Sequence, residues 1–127
     1  MGKGISSTDA PLSGEVLAEV TDAITRIKAN YYGRGAPRGK SYLNDDILFC
    51  VLRGGLTDVE VTLLDRGRGD EVRRLRLVFQ EEMRDEYVRT VERLTGRPVL
   101  DYFSQFLVES QMTIEMFVLN LAESNGV

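Results

Sequence analysis

Apolar residues recur along this chain with two different periods, and the switches between them predict its elements. From residue 15 to 32, Leu17, Val20, Ile24, Ile27 and Tyr31 follow one another at steps of three and four, the single stripe of an amphipathic helix. Ser13 can cap its start and Gly33 can stop it. Residues 33–39, GRGAPRG, carry no period and read as an irregular connection. Residues 40–43 and 47–52 then read as two strands, with Asn44, Asp45 and Asp46 as the hairpin turn between them. The second, ILFCVL, is apolar at every position, so both its faces are expected to be covered, by helices or by a partner chain.

Arg53, Gly54 and Gly55 end that strand. Thr57 with Glu60 three residues later forms a capping box, which predicts a short helix opening at Asp58. Gly67 and Gly69 interrupt it, and Asp70 is the expected cap of a second, longer helix. Its stripe is Val72, Leu75, Phe79, Met83, Tyr87, Val91 and Leu94, closed by Gly96 at the left-handed position and Pro98 beyond it. Period two returns in residues 99–108 and 113–119, with a turn at 109–112. There Ile114, Met116 and Val118 fall on one face, and Thr113, Glu115, Phe117 and Leu119 on the other.

The predicted order is α-β-β-α-α-β-β. Two hairpins make one antiparallel four-stranded sheet, and helices packed on one face give an α+β two-layer domain. The expected domain spans residues 13–121, between a flexible N-terminus at 1–12 and a short polar tail at 122–127. The apolar content of both inner strands makes the second sheet face a candidate homodimer interface, formed by Ile47, Phe49, Val51, Ile114, Met116 and Val118. The alternative is a half-polar, solvated face.

Composition narrows the chemistry. The 127 residues are 43% hydrophobic and 28% charged, with no His, no Trp and one Cys. Without His there is no imidazole base and no His-ligated metal, and one Cys closes no intrachain disulfide. Cys50, inside an apolar run, reads as a small buried hydrophobe of a reduced cytoplasm. The first residues lack the apolar core of a signal peptide, and no stretch reaches the roughly 18–20 apolar residues that span a bilayer. No enzyme activity, cofactor or metal is expected.

A net charge of −4 disfavours non-specific binding to nucleic acid. Between Ala23 and Asn44, however, Arg26, Lys28, Arg34, Arg38 and Lys40 have no acidic neighbour. The loop from Gly33 to Lys40 could hold an anion through Gly-rich backbone and through Arg34, Gly35, Arg38 and Lys40, although no nucleotide-binding pattern is present. Nucleic-acid binding through Arg26 to Lys40 is a further alternative. The residues of LRGGLTDVE all have local tasks in turn and cap. The paired carboxylates Asp45–Asp46, Glu81–Glu82 and Asp85–Glu86, with Glu115 and Ser104, read as ordinary polar positions. The long helix balances nine Arg against eight carboxylates from Asp65 to Arg97, which argues for solubility.

Set in order, these segments resemble the small MpsC-like family. The matching residues are Gly33, Arg34, Gly35 and Pro37; Gly54, Leu56, Thr57, Glu60 and Leu63; Thr95, Gly96 and Val99; and the closing Phe117, Val118 and Leu119. The resemblance spans about residues 15–120. Ala36 departs from the pattern by separating Gly35 from Pro37, so no residue role is carried over to that loop. The resemblance implies a small soluble bacterial protein, the C component of a Na+-translocating, membrane-potential-generating system linked to bicarbonate supply. It implies an accessory or regulatory role beside a membrane-transport partner, and no catalytic residues.

Overall fold

Helix α1, Gly14–Tyr32, is capped at both ends as its stripe requires. The Ser13 hydroxyl accepts from the Val16 amide, and Gly33 ends the helix at φ 71°, a left-handed conformation that costs glycine nothing. The chain follows as β1 (Arg38–Asn44), β2 (Ile47–Arg53), α2 (Asp58–Asp65), α3 (Gly69–Thr95), β3 (Val99–Leu107) and β4 (Met112–Leu119). This is a computed structural model, and it describes residues 12–33 and 37–121. The expected flexible N-terminus, except Leu12, and the polar tail lie outside the described residues.

All four strands are antiparallel, in the order β1-β2-β4-β3. Each hairpin therefore contributes one inner and one edge strand, and the two hairpins meet along β2 and β4. Helices α1 and α3 pack together over one face, with α2 against α3. The layer between holds Val20, Ile24, Leu48, Leu52, Met83, Tyr87, Val91, Phe117 and Leu119. The observed order and the layering match the α+β architecture expected from the pattern.

Several local expectations are corrected. β1 starts at Arg38, so Arg38 and Gly39 are strand, not irregular loop. Gly39 faces α1, where an added Cβ would lie 2.7 Å from a Leu52 methyl and 3.0 Å from Thr21. Its absent side chain lets helix and strand approach closely. Asp70 is not a cap: α3 opens two residues earlier than expected, at Gly69 behind Arg68, which makes no side-chain cap bond, and Asp70 pairs with Arg73 instead. Met112 belongs to β4, so the second turn is 108–111. On α3, Leu75 turns outward and Arg76 takes the inward place. On α1, Tyr31 is exposed while Tyr32 packs against the core.

Candidate functional site

Beneath the helices lies a cluster of charge. Lys28 of α1 is 5% exposed, Arg76 of α3 6%, and Glu60 of α2 and Glu115 of β4 both 0%. Burying a lone ion is costly, so a buried charge is expected to be paired and hydrogen-bonded. Here two cations meet two carboxylates. Arg76 donates to both Glu60 oxygens, Nε to Oε2 at 2.7 Å and Nη2 to Oε1 at 2.8 Å, the bidentate geometry that suits a guanidinium. Its Nη1 donates to the Thr113 hydroxyl at 3.3 Å. The guanidinium also stacks between Tyr32 and Phe106, 4.8 and 4.6 Å from their ring centres.

The second pair is looser. Lys28 Nζ lies 3.5 Å from Glu115 Oε2, while the Tyr102 hydroxyl donates to Glu115 Oε1 at 2.5 Å. Burial lowers the pKa of Lys28, and the Glu115 carboxylate opposes that shift. Burial raises the pKa of Tyr102 and Tyr32, so both stay protonated. A void of about 20 Å³ opens between Lys28, Arg76, Gln80, Ser104 and Glu115, room for about one water. The cluster ties α1, α2 and α3 to both strands of the second hairpin. Its charges answer one another, and it fixes the helices over the sheet.

Sequence reasoning passed over this cluster. Glu60 had a task in the capping box, which is present: its Oε1 accepts from the Thr57 amide at 2.9 Å, and the Thr57 hydroxyl accepts from the Glu60 amide at 3.1 Å. The same carboxylate also holds Arg76. Glu115 reads as an ordinary polar position, yet alternation places it beside Phe117 and Leu119 on the core side. That a strand offers a carboxylate to the core is itself a signal of a buried partner. By sequence Lys28 belongs to the basic segment from Arg26 to Lys40. In the helix it turns inward while Arg26 stays exposed, so the segment is divided between core and solvent.

Cys50 is a free, buried thiol whose pKa is pushed up to about 12 by burial. A thiol held protonated at neutral pH is a poor nucleophile. No group of three or more carboxylate, Cys or His side chains is placed to hold a metal among the described residues.

The other face of the sheet carries the remaining candidates. Arg34 and Gly35 lie outside the described residues. Arg38 and Lys40 are exposed on the side of β1 away from the helices, and Lys40 Nζ lies 5.4 Å from the Tyr42 ring centre. The strand register lines this face in four rows, set by the cross-strand pairs. Arg38, Arg53, Met112 and Leu107 form the first, and Lys40, Val51, Ile114 and Gln105 the second. Tyr42, Phe49, Met116 and Phe103 form the third, and Asn44, Ile47, Val118 and Asp101 the fourth. Ile47, Phe49, Val51, Ile114, Met116 and Val118 thus sit together at its centre, each half-buried, with Tyr42 and Phe103 about half exposed at 48% and 49%. Arg53, which sequence reasoning treated only as a strand end, stands directly opposite Arg38.

The family model described as "Na+-translocating membrane potential-generating system (MpsC)" matches residues 13–121. The chain belongs to the MpsC family. No curated protein and no solved structure matches it. Several residues that carry the MpsC resemblance have structural tasks. Thr57 and Glu60 cap α2, and Gly96 ends α3 at φ 71°. The Thr95 hydroxyl bridges the Val91 carbonyl and the Arg97 amide, and the Val99 amide donates to Glu92. These contacts set the angle at which α3 returns into β3. No helix among the described residues is long and apolar enough to cross a membrane.

Proposed function

We propose that this MpsC-family chain is a non-enzymatic accessory or regulatory component of a Na+-linked, membrane-potential-generating system. It works in the cytoplasm by protein contact, as a homodimer of the domain at residues 13–121, beside a membrane-transport partner that provides the ion path. The observation that carries this reading is the sheet face opposite the helices. Its apolar rows lie in register across all four strands with no element of the described chain over them, and contiguous exposed apolar surface marks a site of association.

Two measurements test it. Sedimentation equilibrium of the full chain is expected to give twice the 14.3 kDa chain mass, and a strict monomer at high micromolar concentration removes the dimer. Cells lacking the chain are expected to lose the Na+-dependent part of their membrane potential and to regain it with the intact chain but not with Tyr42→Glu/Phe103→Glu. An unchanged potential in the deletion removes the Na+-linked role.

A second reading is supported by one feature. Arg38 and Arg53 are like charges directly opposite each other, an arrangement that destabilises a strand pair unless an anion relieves it. An anion or nucleotide sensor using Arg38 and Lys40, with Arg34 and Gly35 from the loop, would then show a raised melting temperature with phosphates or nucleotides, lost in Arg38→Ala.

A further inference from the structure

The open sheet face is polarised along its strands. Arg38, Lys40 and Arg53 stand at one end. Asp45 and Asp46, in the β1–β2 turn, and Asp101, opposite Val118, stand at the other. Arg38 and Arg53 make no ion pair with any described residue. Glu109, in the β3–β4 turn, also stands at the basic end, on the β3 side, so the polarity is carried by the β1–β2 half of the face.

We infer that two copies of the chain pack sheet to sheet about a two-fold axis running across the strands, so that the Arg38–Arg53 end of each copy overlies the Asp45–Asp46 end of the other. This rests on the homodimeric reading above and adds to it the geometry of the partner. Three observations favour it. A two-fold interface must be self-complementary, and the β1–β2 half of the face, basic at one end and acidic at the other, becomes so when reversed on itself. The same rotation lays the Tyr42–Phe103 row over the partner's Lys40–Gln105 row, apolar centre on apolar centre, in the aligned packing usual for stacked sheets. Four strands about 4.8 Å apart and about seven residues long give a projected footprint of about 440 Å². That is about half of the roughly 800 Å² that each partner contributes to a standard interface, before side-chain relief is added. Edge-to-edge pairing is blocked instead: β1 carries Arg38 and Lys40 beside Pro37, and β3 has a register irregularity between Val99 and Asp101.

Charge reversal in the full chain tests the geometry, read by sedimentation equilibrium at low and high salt with circular dichroism as the folding check. Arg38→Glu/Arg53→Glu is expected to weaken the dimer about tenfold or more at low salt, because two symmetric clusters turn repulsive. Asp45→Arg/Asp46→Arg is expected to do the same, and the quadruple reversal to restore association to within about threefold. Raising the salt is expected to narrow these differences. If both charge-reversed doubles dimerise like the parent while Tyr42→Glu/Phe103→Glu does not, the sheet face is used but this end-to-end pairing is wrong. If the quadruple variant stays as weak as the doubles, the charges do not face each other and the inference also fails. A parent chain that is monomeric throughout removes the homodimer itself.

Discussion

Tyr87 lies at the centre of the core with its hydroxyl fully enclosed and without a hydrogen-bond partner. A hydroxyl taken from water and left unpaired costs about 1–3 kcal/mol, whereas its ring fills space beside Tyr102 at 6.1 Å. Tyr87→Phe keeps the ring and removes the orphan atom. It is expected to stabilise the fold by about 1 kcal/mol, seen as a rise of about 4 °C in melting temperature. A fall would mean that the hydroxyl is bonded in solution. Cys50 gives the pH dependence at this scale. Its folded pKa is pushed up to about 12, while an unfolded thiol titrates near 8.5. Between about pH 9 and 12 the folded state therefore holds a proton that the unfolded state has released, and stability falls as pH rises. Lys28, whose pKa is lowered, acts in the opposite sense, so the comparison must be between chains that share it. Cys50→Ala is expected to lose about 1 kcal/mol per pH unit less than the parent between pH 9 and 10, measured by urea unfolding. Equal slopes would show that the thiol is not protected.

The elements were legible wherever a period and a cap coincided. α1, with Ser13, its stripe and Gly33, and the end of α3 at Gly96 follow from local sequence, and both hairpins follow from period two and their turns. The sheet's face assignment followed as well, because a strand's parity fixes every side chain at once. The charged cluster did not, since its members lie 16 and 87 residues apart in the pairs Glu60–Arg76 and Lys28–Glu115, and no local rule joins positions at that distance. Arg76 took the place expected of Leu75 because Glu60 waits under the helix, a tertiary contact that overrides the apolar stripe. This separates two contributions at α2. Thr57→Ala removes a cap and is expected to cost about 1 kcal/mol. Glu60→Gln can still accept from the Thr57 amide but leaves the buried Arg76 without its counter-ion, and is expected to cost about 3–5 kcal/mol. Chemical unfolding of both variants checks the order. If the two costs are equal, the capping box and not the ion pair holds α2 in place.

At the scale of the molecule, the strand order matters most. Because the order is β1-β2-β4-β3, the two hairpins are joined within the sheet at the β2–β4 seam, where Ile47 to Arg53 run against Met112 to Val118. Neither hairpin is complete without the other: each leaves an inner edge unpaired and half a core uncovered, and an isolated two-stranded hairpin is marginal in water. The helices reinforce the same closure, since Lys28 from α1 reaches Glu115 on β4 and Arg76 from α3 reaches Thr113. Opening the seam therefore breaks the buried charge cluster and the core together, and amides within it can exchange only when the whole domain unfolds. The edges differ. β1 and β3 each have one unpaired side, and α2 is a two-turn helix held mainly by Glu60. Native-state hydrogen exchange is expected to show a single highest free energy shared by Leu48, Cys50, Leu52, Glu115 and Phe117, equal to the global unfolding value. Amides of α2 should open at a lower free energy, and lower still in Glu60→Gln. If seam amides exchange at a free energy well below the global value, the two hairpins separate as independent units, and the charge cluster does not bind them into one.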